Sequence, residues 1–267
     1  MPPTMPFVDI HCHLIPGIDD GAADYAMAGA MATMACTDGF DTIIATPHQL
    51  GSYRENTGDY IRQRVVELQQ FLDEQKIALQ VLPGGDVRIE SDMVRGLRQG
   101  SVLSLGDHGR HVLLELPHEL YFPLEPVLKE LRANRIVGIL SHPERNRGLL
   151  AQPDIIPALV DGGCLMQVTA GSLLGSFGPG SQQMGAWMVK SGLTHFLATD
   201  AHSHKSRRPR MAKAFQQVEE LAGHEMAEKL CCTFPRCVAE GQHVPEGRLS
   251  TGGSGKRRGW FSRLKSA

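Results

Sequence analysis

The chain has 267 residues, 42% of them hydrophobic and 21% charged, which is enough apolar material for one core of barrel size. Lys and Arg number 27 against 29 Asp and Glu, a formal charge of −2, so no global field marks a nucleic-acid binder. Residues 1–9 lack the basic and apolar regions of a signal peptide, and no stretch reaches the ~18 uncharged apolar residues of a membrane span.

A cytoplasmic protein is therefore expected. Its cysteines (Cys12, Cys36, Cys164, Cys231, Cys232 and Cys237) have no disulfide-like spacing and read as reduced and structural. Cys231, Cys232 and Cys237 match no zinc-ribbon pattern.

In chain order, short apolar, β-branched runs alternate with stretches of helical period. The first run, 7–11, ends on His11. In a strand residues i and i+2 share a face, so His11 and His13 can present two imidazoles to one metal while Cys12 faces away. In PGIDDG (16–21), Asp20 is the candidate ligand and Asp19 reads as a cap for the helix expected over 24–36. The run 42–46 drives into Pro47, which fixes the backbone just before His48. A helix over 59–75 precedes a strand at 79–82 and a Gly84-Gly85 turn that delivers Asp86.

The strand at 111–116 carries Glu115, an acid costly to bury unless a cation is near. After a helix over 124–134, the strand at 136–141 leads to His142 and, three residues on, Arg145, whose forked donors suit phosphate oxygens. Glu144 reads as a structural partner. Strands at 164–169 and 195–199 complete the set, and the last delivers Asp200 and His202. Arg207 and Arg208 follow in a loop, either of them placed to close over an anion, before a helix over 211–222. His108, His111, His118, His195, His204, His224 and His243 fall at turns, strand starts or polar loops and read as non-ligands.

Seven parallel strands separated by helices, six of them with His, Asp or Glu at or just past their ends, suggest a barrel whose C-terminal strand ends build one site. No C-x5-R pair supports a cysteine phosphatase, and no G-x4-G-K-[ST] loop supports nucleotide binding. From Gly241 the composition shifts toward Gly, Ser, Thr and Arg, which divides the chain into a barrel at 1–240 and a flexible linker and basic tail at 241–267. Residues 255–265 carry five cations and no acid, with Trp260, Phe261 and Leu264 available for one helical face. Contact of 256–265 with an anionic membrane or a partner, and a solvated tail, are both open.

The motifs DIHCH (9–13), PGIDDGA (16–22), ATPH (45–48), GGDVRI (84–89), LELP (114–117), SHPERN (141–146), QVTAGSL (167–173) and ATDAH (198–202) run in the order of the polymerase-and-histidinol-phosphatase (PHP) superfamily. Within it the chain resembles the bacterial tyrosine-protein phosphatases encoded with capsule and exopolysaccharide genes. The resemblance implies a distorted (β/α)7 barrel holding three divalent metal ions, commonly manganese, with iron, zinc, cobalt or magnesium as alternatives. By position, His11, His13, Asp86 and Asp200 would hold the first ion. Asp86, Glu115 and His142 would hold the second, and Asp20, His48 and His202 the third. Arg145 and Arg207 would bind phosphoryl oxygens. One departure is that the bridging position, normally Glu, is the shorter Asp86.

Ions around one cavity would acidify a shared water for in-line attack on phosphorus. The implied substrate is a phosphotyrosine protein, by likeness a bacterial tyrosine kinase that controls capsule or exopolysaccharide synthesis. Two alternatives stay open: a histidinol-phosphatase-type enzyme, and a catalytically weakened regulatory binder of such a kinase at the inner membrane.

Overall fold

A computed structural model describes residues 1–250. Every one of the seven expected runs contains a strand, and nine strands form among the described residues. They are β1 (Phe7–Cys12), β2 (Phe40–Ala45), β3 (His48–Gln49), β4 (Gln80–Pro83), β5 (Asp86–Arg88), β6 (His111–Glu115), β7 (Val137–Ser141), β8 (Leu165–Thr169) and β9 (Phe196–Ala198). One sheet has the order β1-β2-β4 and the other β3-β5-β6-β7-β8-β9, with every pair parallel. The result is a mixed α/β domain of parallel sheets with helical connections.

The two additional strands arise where sequence punctuation interrupts a ladder. Pro47 has no N–H to donate, so β2 stops and pairing resumes at His48 as β3. Gly84 and Gly85 separate β4 from β5 in the same way. A Cβ on Gly84 would lie 2.7 Å from Ile44 Cγ2, and one on Gly85 2.4 Å from Gln49 Oε1. The backbone can come this close only without side chains.

In the second sheet, Leu113, Ile139, Leu165 and Phe196 join Val8, Ile10 and Ile44 in one apolar cluster, closed by Phe234, Val238, Ala239 and Val244. Two residues along the same strands lie Glu115, Ser141 and Gln167, so one face supplies both the floor and the polar groups above it. The other faces (Val112, Leu114, Leu140, Met166, Val168) pack with Met31, Leu68, Leu131, Met188 and Phe215 of the helices in a larger cluster.

β1 contains a bulge. Asp9 opposes Ile43 and Cys12 opposes Ala45, so three steps on β1 face two on β2. The phase shift lets Val8 and Ile10 enter the floor while His11 and His13 reach the site above it. Cys12 faces away into the larger cluster.

The structure departs from expectation in two places. The helix Tyr25–Asp38 is capped by Asp24, whose carboxylate accepts from Met27 N at 2.8 Å, so Asp19 is not its cap. The packed chain runs past Gly241: Val244 is buried, Leu249 N donates to Gly192 O at 2.8 Å, and Arg248 pairs with Asp161 at 2.5 Å. The basic segment 256–265 lies outside the described residues. Among the described residues no helix is long and apolar enough to cross a membrane, and the six cysteines are all free thiols.

Candidate metal centre

His11 and His13 meet with their Nε2 atoms 3.3 Å apart. Each imidazole is oriented from behind. His11 Nδ1 lies 2.9 Å from Gln167 Oε1, an acceptor, so this nitrogen carries the proton and Nε2 keeps its lone pair. His13 Nδ1 faces Asp19 Oδ2 at 2.7 Å. Asp19 also accepts from Gly21 N at 2.9 Å and His48 N at 3.2 Å, which folds the 16–21 loop beneath the ring.

The later strand ends bring their groups to the same place. His48 Nε2 lies 3.4 Å from Asp20 Oδ1, and His202 Nε2 lies 3.3 Å from the same oxygen. Asp86 Oδ2 is 3.6 Å from His11 Nε2 and 3.4 Å from His48 Nδ1, so the shorter side chain reaches both sides of the cluster. Glu115 Oε2 stands 3.6 Å from His48 Nδ1. The His142 ring is 5.5 Å from that of His11 and sits on a residue with φ 34°. Asp200, with φ 50°, is 3.3 Å from His11 Nε2 and 3.5 Å from His13 Nε2. These two left-handed residues aim side chains inward just where their strands end. Arg145 and Arg207 both pair with Asp200 Oδ2. Arg208 instead is exposed and donates to Lys205 O.

Four overlapping sets have ligand atoms within 4.8 Å of one another: His13, Asp20, His48 and His202; His11, His142 and Asp200; His11, His13 and Asp86; and His48, Asp86 and Glu115. All nine candidate ligands are therefore brought together. The sets differ in detail from those implied by resemblance, because His142 groups with Asp200 and His48 with Glu115. A cavity of about 180 Å³ opens beside them, lined by all of them but His11 and His13 and by Arg145, Arg207, Ser141, Asn146 and the exposed His118.

The electrostatics fit a cation. Both oxygens of fully buried Asp86 lack a hydrogen-bond partner, an arrangement costly for a carboxylate unless a metal uses them. Burial and then Asp86 push Glu115 up to about 7, while burial followed by Arg145 pushes His142 down to about 3. Burial opposes charging His48, but Asp20 and Asp86 outweigh it and raise the ring to about 11. Mixed imidazole and carboxylate donors of this kind suit manganese, iron, cobalt or zinc.

Sequence reasoning missed the groups behind the ligands. Asp9 accepts from Thr199 N at 3.0 Å and His11 N at 3.2 Å, tying β1 to the segment after β9. Burial first, against those hydrogen bonds, raises it to about 7. Gln167 lies in the QVTAGSL motif, and its i, i+2 phase with Leu165 and Thr169 signals an inward side chain. Phe177 lies beneath the Arg145 guanidinium at 4.1 Å and near that of Arg207 at 6.0 Å. Glu144 is structural as expected, accepting from Thr169 N and Ser172 Oγ at 2.9 and 2.7 Å.

The model of the capsular polysaccharide synthesis family CpsB/CapC matches residues 7–240. The chain belongs to this family. It is 35% identical over 221 residues to tyrosine-protein phosphatase YwqE of Bacillus subtilis, covering 82% of this chain and 86% of that protein. Among solved structures, it superposes with a TM-score of 0.86 and 32% identity on one described as YwqE from Bacillus subtilis and CpsB from Streptococcus pneumoniae, unique metal-dependent tyrosine phosphatases, covering 91% of this chain and 99% of that one. A phosphotriesterase homology protein from Escherichia coli, at TM-score 0.57 and 10% identity over 88% of this chain and 98% of that chain, shares the fold. The CpsB/CapC match spans β1 to β9, and so every candidate ligand.

Proposed function

We propose that this CpsB/CapC chain is a metal-dependent protein-tyrosine phosphatase acting on a tyrosine-phosphorylated protein in the cytoplasm, by likeness a bacterial tyrosine kinase that controls capsule or exopolysaccharide synthesis. The observation that carries it is the convergence of nine imidazole and carboxylate groups in one cluster, beside a cavity that seven of them line together with two arginines, in a chain 35% identical to tyrosine-protein phosphatase YwqE. The two sheets are read as parts of one distorted (β/α)7 barrel. With β3 continuing β2 and β5 continuing β4, nine segments become seven strands. His13 N donates to Ala201 O at 2.9 Å and Asp200 N to His11 O at 2.8 Å, which supports pairing of β1 with the end of β9.

His11, His13, Asp20, His48, Asp86, Glu115, His142, Asp200 and His202 would hold three divalent ions, with manganese preferred. Many of the nitrogen–oxygen separations, 3.3–3.6 Å, suit ligands sharing an ion at about 2.1 Å. Bound ions would acidify water and neutralise phosphate charge. The protein's own groups do the rest. Gln167 and Asp19 hold the His11 and His13 rings in place, and the tautomer set at His11 leaves Nε2 facing His13, Asp86 and Asp200. Arg145 and Arg207, which pair with Asp200 and line the cavity, would bind the phosphoryl oxygens, for which their planar donors are suited.

The test pairs metal content with turnover of a phosphotyrosine peptide and of histidinol phosphate, each with added manganese. Expected are bound transition metal, preference for the peptide, loss of activity on chelation, and at least a 100-fold fall in His13→Ala. Full activity of His13→Ala, or faster turnover of histidinol phosphate, would overturn the reading.

A further inference from the structure

We propose that Phe177 is the wall of an aryl subsite, which selects substrates whose phosphate ester is carried on an aromatic ring; this rests on the phosphatase reading above. Two features of the ring point to it. First, both guanidiniums assigned to the phosphoryl group stand against it, Arg145 at 4.1 Å and Arg207 at 6.0 Å. A phosphoryl group held by those arginines has its ester oxygen, and the first atoms of the leaving group, one guanidinium away from an aromatic side chain. Second, the cavity is lined almost entirely by charged, imidazole and polar groups, with Leu116 its apolar member, and half-buried Phe177 stands just outside that lining, against its two arginines. A phenyl ring leaving that cavity past the arginines would meet Phe177, and aromatic rings favour one another beyond simple burial.

The ring is also held still. It sits in the connection between the helices Ala170–Leu173 and Gly178–Lys190. Gly175 and Gly178 flank it with φ of 82° and 86°, where other residues are strained. Gly171 has no side chain to keep the ring away: a Cβ there would lie 3.0 Å from Phe177 Cε2. Ser172, on the same short helix, is bonded to buried Glu144, which neighbours Arg145 in sequence. The loop bearing the ring and the turn bearing the arginine are thus one unit. A ring fixed in this way costs little entropy to use as a platform.

A different role, in which Phe177 only orients Arg145 through its π face, predicts a different outcome. The experiment measures kcat/KM of the manganese-loaded full chain for phenyl phosphate and a phosphotyrosine peptide, against glycerol 2-phosphate and a phosphoserine peptide, in wild type, Phe177→Ala and Phe177→Leu. The expected result is a fall of about tenfold in the aryl-to-alkyl ratio for Phe177→Ala and a smaller fall for Phe177→Leu, with circular dichroism reporting an intact fold. An equal fall on both substrate classes, or an unchanged ratio, overturns the subsite and leaves the phosphatase reading standing. A wild-type chain that turns over none of the four overturns both.

Discussion

Asp19 and Gln167 touch no substrate in this scheme, yet they decide whether two ligands work. Each bonds the Nδ1 of a histidine whose Nε2 faces the cluster. Groups in this position fix ring orientation and raise ligand basicity, and their removal costs metal sites about 10–100-fold in affinity. Asp19→Ala and Gln167→Leu should therefore release metal to a competing chelator 10–100-fold more readily than wild type, with the fold retained by circular dichroism. Metal retention equal to wild type in both variants would show that the rings need no such support. The contrast with what the sequence disclosed is physical. Apart from Asp20, the candidate ligands are legible because they end or closely follow an apolar run, where a polar residue is conspicuous. Asp19 reads as a cap in the sequence because adjacent carboxylates before a glycine fit that role equally well, and only the fold shows that the cap is Asp24. Gln167 reaches His11 across 156 residues, a pairing no local pattern encodes.

At the level of elements, alternation located all seven runs but could not locate their interruptions. The β1 bulge follows from register against β2, which is a tertiary property, and without it Ile10 and His11 could not both face inward. The Gly84-Gly85 break has a similar function, since it lets the backbone approach Gln49 and so places Asp86 within reach of both His11 and His48. Gln49 cannot give way: its Oε1 accepts from Leu103 N at 2.8 Å and its Nε2 donates to Asn56 O at 2.7 Å. Gly85→Ala would set a methyl 2.4 Å from that oxygen. It should destabilise the protein by about 1–3 kcal/mol and lower metal content, as Asp86 is pushed from the cluster. Gly180→Ala, where the nearest atom is 4.0 Å away, is the control and should be near neutral. Denaturant midpoints with metal analysis decide it; equal midpoints for the two variants would refute the close-approach argument.

The whole molecule depends on its floor as well as its rim. Val244 and the chain to Leu249 close the apolar cluster below the site. Composition alone placed a domain edge at Gly241 because isolated apolar residues among Gly, Arg and Ser give no periodic signal. His195 joins this segment to the sheet. It is fully buried, with Nε2 donating to Gly247 O at 2.9 Å and Nδ1 accepting from Met166 N at 3.1 Å. Both bonds together require the neutral ring, and burial lowers its pKa to about 4 from the ordinary 6.5. Between those values the unfolded chain binds the proton and the folded one does not, so stability rises with pH across this window. The contribution is fully present above 6.5 and is lost as pH falls toward 4, about 3 kcal/mol in all at ~1.4 kcal/mol per unit. Because acid also protonates the metal ligands, the informative quantity is the difference between wild type and His195→Asn. The variant should be less stable at pH 7.5, and the gap between the two denaturation curves should narrow steadily from pH 6.5 to 4.5. A gap of constant size over that range would place the acid sensitivity of the fold elsewhere than in the contact between β9 and the terminal segment.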